Sequence, residues 1–169
     1  MRLFFALNFS PEVKARLIVL QEELRRQSDS GNFSAPENLH LTLAFLGECG
    51  PKQLTSAKIA LSLIKIAPVD IRIDRLGRFR REGGDIWWAG AAGNSELTAL
   101  QRELTERLRA VGFRLEDRKY SPHITLAREI VTGALPWEIE PFGETVRSVE
   151  LMKSERMQGK LKYTAVFSH

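Results

Sequence analysis

HLTL at residues 40–43 and HITL at residues 123–126 repeat one pattern, His-x-Thr-x, and use two of the three histidines in the chain. Each copy lies in an apolar run typical of a β-strand, where alternation places its His and its Thr on one face. One copy alone is more typical of a core histidine whose ring is satisfied by a backbone carbonyl. Two copies favour a shared role, because two such faces, each with an imidazole beside a hydroxyl, would form a phosphate site when opposed.

The segments before the two motifs also correspond. Residues 2–8 and 85–91 are each typical of a strand, and each is followed by an amphipathic helix. The first helix is predicted over residues 11–27 with Ser10 as its N-cap, and the second begins at Ser95. Equivalent positions are a near-constant 83 to 85 residues apart, as in Arg2 and Ile86, Ser10 and Ser95, and His40 and His123. This spacing indicates a duplication.

The remaining elements complete an α+β fold. The polar residues 28–34 are predicted to form a loop, residues 39–47 the first motif strand and residues 52–66 a helix. Further strands are predicted, at residues 69–76, 146–153 and 162–167. We expect residues 1–169 to form a single domain of two duplicated lobes related by a pseudo-twofold axis, with antiparallel sheets lining a central cleft and helices outside.

Composition limits the class of protein and its partners. The chain is 43% hydrophobic, enough for a sizeable core, and its 25 basic against 21 acidic residues are compatible with a polyanionic ligand without requiring one. The single Cys49 cannot form an internal disulfide, and the apolar run at residues 3–7 is too short for a signal-peptide core or a membrane span. We therefore expect a cytoplasmic monomer that does not bind membranes.

No metal and no cofactor are expected from the sequence. A zinc site needs three or four ligands, and the chain has neither a cysteine pair nor a His-x-x-x-His helix. It also lacks the Gly-x-x-x-x-Gly-Lys-Ser/Thr loop that binds ATP.

Four segments together resemble the two-histidine (2H) phosphoesterases, and within them the bacterial and archaeal RNA 2',3'-cyclic phosphodiesterases, historically called 2'-5' RNA ligases. The resemblance spans nearly the whole chain. Its segments are RLFFALNF from Arg2, PENLHLTLAFLGE from Pro36, SPHITLAR from Ser121 and VELMKSERMQGKLKYT from Val149. It implies a 2H phosphoesterase fold and an enzyme that hydrolyses 2',3'-cyclic phosphate ends of RNA, or cyclic nucleotides, to 2'-phosphomonoesters, with reversible 2'-5' ligation as a second activity.

The residue types suit this chemistry. Imidazole can take a proton from water or give one to a leaving ribose oxygen near neutral pH, and Thr42 and Thr125 could donate hydrogen bonds to phosphate oxygens. Symmetric motifs do not reveal which histidine is acid and which is base. The resemblance implies that His40 is the proton donor and His123 the proton acceptor.

Other residues are candidates for binding the substrate, and each could instead have a purely structural role. Arg128 closes SPHITLAR and is a candidate phosphate contact, although strict strand parity puts it on the face opposite His123. Phe45 and Tyr120 are candidates for stacking on a base, with core packing as the alternative. The basic stretch from Arg72 to Arg81 could grip an RNA backbone or form a solvated strand end.

The sequence is also compatible with two alternative functions. A 2H phosphodiesterase could act on another cyclic substrate, such as ADP-ribose 1'',2''-cyclic phosphate, or on a 2'-5' linked oligonucleotide. A degenerate 2H fold could instead be a non-catalytic module that binds RNA ends, although intact His and Thr in both motifs argue against lost catalysis.

Overall fold

The computed structural model describes the whole chain, Met1–His169, and has nine strands, three α-helices and a short 3-10 turn at Pro36–Asn38. The helices are α1 (Pro11–Arg26), α2 (Pro51–Ser62) and α3 (Ser95–Ala110). The strands are β1 (Arg2–Asn8), β2 (Ser28–Phe33), β3 (His40–Glu48), β4 (Val69–Phe79), β5 (Asp85–Ala91), β6 (His123–Thr132), β7 (Trp137–Val146), β8 (Glu150–Met157) and β9 (Lys160–Ser168). The predicted α+β class is confirmed. None of the helices is both long and apolar enough to cross a membrane.

The sheet is antiparallel and its strand order is symmetric about the two motif strands. The order is β7-β4-β5-β6-β3-β1-β8-β9, so β3 and β6 are neighbours at the centre. Each is flanked by the first strand of its own repeat, β1 beside β3 and β5 beside β6. The duplicated order expected from the sequence is therefore visible in the pairing of the strands.

The two halves of the sheet join at one point and then separate. Between β3 and β6 the only paired residues are Leu41 and Ile124. Beyond this pair β2 takes the place of β3 beside β6, with Phe33 opposite Ala127. The central strands therefore diverge, and a cleft opens on the face of the sheet that carries the motif residues.

The core lies on the opposite face, under the helices. Alternate residues of the motif strands, including Leu41 and Ile124, are fully buried there. Helix α1 begins at Ser10, whose hydroxyl accepts a hydrogen bond from the Val13 amide, and buries Leu17 and Leu24 against the sheet. Since His and Thr alternate with these core residues, burial of the apolar face fixes which way the motif side chains point.

Several predicted boundaries were wrong. Residues 28–34 are not a loop, because β2 pairs with β6 there, and its exposed, polar sequence lacks the alternation that signals a strand. Helix α2 ends at Ser62 rather than near residue 66, since Pro68 follows shortly after and buried Ile64 packs from a turn. Helix α3 is capped by Asn94 rather than by Ser95.

The strand predictions in the second half were also incomplete. Strand β4 continues past Leu76 to Phe79 because Gly77 is not a breaker: a Cβ there would lie 2.2 Å from the Trp88 ring, so the glycine makes room for the indole. Strand β7 was missed, and its end at Val146 was merged with β8, which begins at Glu150. As an edge strand that buries only Val146 and contains Pro141, β7 carries a weak pattern.

Candidate active site

The two His-Thr pairs lie beside each other on the open face of the central strands. Leu41 pairs with Ile124 in antiparallel register. Continuing that register by one residue in each direction sets His40 beside Thr125 and Thr42 beside His123. Thr42 and His123 both line the same cleft. The four side chains predicted to form the site are therefore brought together at the junction of the two halves.

Each imidazole is held by a carbonyl two residues earlier in the chain. The Nδ1–H group of His40 donates to the Asn38 carbonyl oxygen at 2.7 Å, and that of His123 donates to the Ser121 carbonyl oxygen at the same distance. Because a carbonyl oxygen only accepts, Nδ1 carries the proton and Nε2 is the nitrogen left for chemistry. In neutral His40 the Thr42 hydroxyl donates to this Nε2 at 2.9 Å.

Burial lowers the pKa of both histidines. For His40, burial outweighs the hydrogen bond to Asn38, which raises the pKa, and the charges of His123, Arg128 and Lys14 lower it further. For His123, burial again outweighs its carbonyl hydrogen bond, and Arg128 and Arg118 add to the lowering. Each ring is therefore neutral over a wider pH range than a free imidazole, and positive charge on His123 contributes to lowering the pKa of His40.

A β-bulge in each motif strand brings a third side chain to this face. In β6, Thr125 is opposite Trp88 but Ala127 is opposite Trp87, so Leu126 has no partner of its own. Leu126 and Ala127 both point into the core, and the next residue, Arg128, returns to the face of His123. The objection from strict parity to Arg128 as a phosphate contact is therefore removed by the bulge, and the charge of Arg128 lowers the pKa of both histidines.

The first motif strand repeats this arrangement. Ala44 is opposite Phe5 and Thr42 is opposite Ala6, which leaves Leu43 as the extra residue. Phe45 then occupies the position that Arg128 occupies in the second copy. Phe45 as a residue is 52% exposed and lines the cleft, so it is accessible to a ligand, as the stacking hypothesis requires.

A glutamine from a helix holds each bulge. The side-chain amide of Gln21 in α1, itself 4% exposed, donates to the Leu126 carbonyl oxygen at 2.9 Å. Gln101 in α3 donates to the Leu43 carbonyl oxygen at 3.4 Å. Neither residue was singled out in the sequence, where a lone glutamine in an amphipathic helix gives no sign of such a contact.

The cleft extends from His123 and Thr42 towards Gln101 and Thr105 of α3 and has a volume of about 470 Å³. Tyr120 lines it, but its hydroxyl donates to the Thr42 carbonyl oxygen at 2.8 Å, and burial raises the pKa of that hydroxyl. Tyr120 therefore braces the first motif strand as well as presenting its ring. Phe79 and Arg81 form another part of the wall.

Aromatic rings flank both histidines. The His40 ring lies 4.8 Å from Phe4 and 5.1 Å, edge-on, from Tyr163. The His123 ring lies 5.1 Å from Phe79 and 5.9 Å from Trp88. Sequence reasoning assigned no role to Tyr163 or Asn38; both fall inside the quoted family segments, which is the only signal that marked them.

The basic stretch from Arg72 to Arg81 divides between two roles. Arg75 pairs with Asp74, and its guanidinium lies 5.9 Å from the Trp88 ring on the cleft face. Arg78 and Arg80 instead approach Asp85 at 4.0 Å and 3.3 Å, and of the five arginines only Arg81 lines the cleft. Arg78 and Arg80 thus have an acidic partner at the end of the strand, and Arg81 is the member placed where contact with RNA, still a prediction, would require it.

The third histidine lies away from this site. The Nε2–H group of His169 donates to the Ile64 carbonyl oxygen at 2.7 Å. No three His, Cys, Asp or Glu side chains are grouped so that they could hold a metal ion.

An antiparallel sheet with two adjacent His-x-Thr strands at its centre defines a protein of the 2H phosphoesterase class. The family model described as LigT like Phosphoesterase matches residues 7–88 and 91–163. The chain therefore belongs to the LigT-like phosphoesterase family.

Individual relatives agree with this assignment. The chain is 32% identical over 162 residues to a protein of Archaeoglobus fulgidus named RNA 2',3'-cyclic phosphodiesterase, covering 91% of each chain. A protein of the same name from Escherichia coli is 28% identical, covering 96% of this chain and 92% of the relative. The crystal structure of E. coli LigT complexed with 3'-AMP superposes with a TM-score of 0.87 at 25% identity, covering 99% of this chain and 96% of that one.

Proposed function

We propose that this chain hydrolyses the 2',3'-cyclic phosphate at the end of an RNA to a 2'-phosphomonoester by acid-base catalysis between two histidines, without a metal ion. The observation that carries the proposal is the pairing of Leu41 with Ile124, which sets two imidazoles, each with Nε2 unoccupied by a backbone partner, around one patch of the open face. The relatives named RNA 2',3'-cyclic phosphodiesterase support the same substrate class.

The proposed reaction is one in-line displacement at phosphorus. Nε2 of neutral His123 takes a proton from water as the water oxygen forms a bond to phosphorus. The bond from phosphorus to the ribose 3'-oxygen breaks, and the Nε2–H group of protonated His40 gives its proton to that oxygen. His123 ends protonated and His40 neutral. The cleft that His123 lines gives water access to this ring, which supports its role as base, and the assignment of His40 as the acid follows the resemblance to the 2H phosphoesterases.

Three further side chains are proposed to hold the phosphate. Protonation of His40 turns its Nε2 into a donor, which frees the Thr42 hydroxyl to donate to a nonbridging phosphate oxygen. The Thr125 hydroxyl would donate to a nonbridging oxygen from the other motif strand. Arg128, brought to this face by the bulge, supplies a positive charge. Together they would stabilise the extra negative charge of the pentacovalent transition state. Phe45 is the better placed of the two proposed stacking residues, since Tyr120 is anchored through its hydroxyl.

The proposal treats residues 1–169 as one domain whose two lobes share one cleft, which the continuous sheet supports. We also propose that the protein is a monomer, that it acts in the cytoplasm, and that its substrates are RNA ends or cyclic nucleotides. If a 5'-hydroxyl took the place of water, His123 would accept its proton and His40 would again protonate the leaving 3'-oxygen, forming a 2'-5' linkage. Cleavage of that linkage is the reverse reaction, in which by microscopic reversibility the two histidines exchange roles.

The metal-free mechanism predicts that hydrolysis persists in excess EDTA, because two imidazoles supply the proton transfers that a metal-bound water would otherwise provide. The assay would follow, with EDTA present, a 2',3'-cyclic nucleotide, RNA ending in a cyclic phosphate, ADP-ribose 1'',2''-cyclic phosphate and 2'-5' oligoadenylate. Product analysis would show whether the phosphate stays on the 2'-oxygen.

Each outcome of this panel has a definite meaning. Turnover of the first two substrates to 2'-phosphates supports the proposal. Turnover of only the last two would assign the same chemistry to a different substrate, and binding without turnover would indicate an RNA-end binding module. Activity that EDTA abolishes and one divalent ion restores would contradict the metal-free mechanism.

A further inference from the structure

Three arginines near Tyr163 make no ion pair with a carboxylate. They are Arg2, Arg128 and Arg156, and none of them takes part in any ion pair of the protein. Their positive charges all act on the Tyr163 hydroxyl and oppose the rise in its pKa that burial causes. Positive charges gathered without acidic partners beside a phosphate site favour an additional anionic group of the substrate.

Strand pairing places these side chains on one surface. Arg2 is opposite Ser154 on β8, and Ser154 is opposite Tyr163 on β9, so these side chains lie side by side across neighbouring strands. We refer to Arg2, Tyr163 and Arg156 as the basic row. Such strands lie about 4.8 Å apart, with opposite residues on the same face. Arg156 is two residues beyond Ser154 on β8 and therefore shares this face, diagonal to Tyr163.

This row adjoins the His40 side of the active site. The Asn38 side-chain amide donates to the Leu161 carbonyl oxygen at 2.9 Å, which ties β9 to the turn before His40. The Tyr163 ring consequently lies 5.1 Å from the His40 ring, and the Arg2 guanidinium lies 5.5 Å from the centre of the exposed Phe45 ring. The basic row and the catalytic face are thus parts of one continuous surface.

The donors of this row are available to a ligand. Arg2 and Arg156 are exposed, and the one hydrogen bond of the Arg156 side chain is a long contact of 3.4 Å to the Gly159 carbonyl oxygen. The Tyr163 hydroxyl remains protonated at neutral pH because burial raises its pKa. Two guanidinium groups and a phenol are a donor set suited to the oxygens of a phosphodiester.

We propose that Arg2, Arg156 and Tyr163 form a second phosphate subsite, which takes the internucleotide phosphodiester directly upstream of the cyclic end of an RNA chain. This inference rests on the proposed function. A 2',3'-cyclic mononucleotide has no upstream phosphate and cannot use the subsite, whereas a dinucleotide with a cyclic end can. The subsite therefore makes the enzyme selective for the ends of RNA chains over free cyclic nucleotides.

The test compares kcat/KM for a diadenylate ending in a 2',3'-cyclic phosphate with kcat/KM for 2',3'-cyclic AMP. The unmodified protein should favour the dinucleotide, and added salt should reduce this preference. Arg2→Gln and Arg156→Gln should each reduce the ratio of the two values, and the double variant should reduce it by about tenfold, as expected for the loss of charge-assisted hydrogen bonds to a phosphate.

A matched control removes one positive charge from the helical layer. Arg26→Gln, in the last turn of α1, should leave the ratio unchanged. Equal kcat/KM for both substrates in the unmodified protein, or equal losses on both substrates in the Arg2 and Arg156 variants, would overturn the subsite while leaving the proposed function intact. Hydrolysis of neither substrate by the unmodified protein would overturn both.

Discussion

Replacing either motif histidine with alanine is expected to lower kcat for 2',3'-cyclic nucleotide hydrolysis by at least about 100-fold, the usual contribution of a general acid or base. His40→Ala removes the proposed donor to the ribose oxygen, and His123→Ala removes the proposed acceptor from water. Because both proton transfers belong to one displacement, the double variant should lose far less than the product of the two single losses. Steady-state kinetics on the four proteins would measure this directly.

The third histidine provides the control. His169→Ala removes an imidazole whose ring contacts the Ile64 carbonyl and lies outside the cleft, and kcat should stay close to that of the unmodified protein. Thermal unfolding would establish that each variant remains folded. Full activity in a folded His40→Ala or His123→Ala protein, or multiplicative losses in the double variant, would be inconsistent with a paired acid and base.

The motif threonines should give the next largest effects on catalysis. Thr42→Val and Thr125→Val keep the side-chain shape but remove the hydroxyl, and each should lower kcat by about 10- to 100-fold, since a hydrogen bond to a charged group is worth roughly 1.5–3 kcal/mol. The loss should be smaller than for either histidine because no proton transfer is removed. Thr42→Val should cost more than Thr125→Val, because only Thr42 also contacts a catalytic nitrogen, Nε2 of His40.

Serine at the same positions separates the hydroxyl from the shape of the side chain. Thr42→Ser and Thr125→Ser retain the donor and should retain most of kcat in the same assay. If the serine and valine variants were equally impaired, the threonines would matter through packing, and if the valine variants were fully active, neither hydroxyl would contact the phosphate in the transition state.

Much of the fold could be predicted from local sequence patterns. Helix α1 follows from the Ser10 cap and the buried spacing of Leu17 and Leu24, and the motif strands follow from their apolar alternation. Strands β2 and β7 could not be predicted in this way. Strand β2 has no buried residue and β7 has only Val146, so their pairing depends on a partner strand distant in sequence rather than on a pattern within them.

The four motif residues could be predicted as neighbours because the duplication implies a symmetric pairing of their strands. Arg128 could not be assigned to the correct face, since a bulge adds one residue without leaving a signature in the sequence. Tyr163 and Asn38 depend on how β9 returns to the turn before His40, which is a tertiary contact. The sequence therefore predicts the motif residues of the site. The bulges and the edge strands, which it does not predict, determine which further side chains lie beside them.

The pKa shifts of the two histidines set the expected pH dependence. A general base acts only when neutral, so activity should fall as the pH drops through the pKa of His123. A general acid acts only when protonated, so activity should also fall as the pH rises through the pKa of His40. Burial lowers both values below the ordinary 6.5, so the maximum of kcat/KM, which reports the free enzyme, should lie on the acid side of pH 6.5. A bound phosphate anion favours both imidazolium forms, so the kcat profile should lie at higher pH.

The most direct test of the two-histidine mechanism is the pH dependence of kcat/KM for a 2',3'-cyclic nucleotide, measured for the unmodified protein and both alanine variants where chemistry limits the rate. The mechanism predicts a bell for the unmodified protein, loss of the acidic limb in His123→Ala and loss of the alkaline limb in His40→Ala. A flat profile for the unmodified protein, or both limbs retained in either variant, would contradict it.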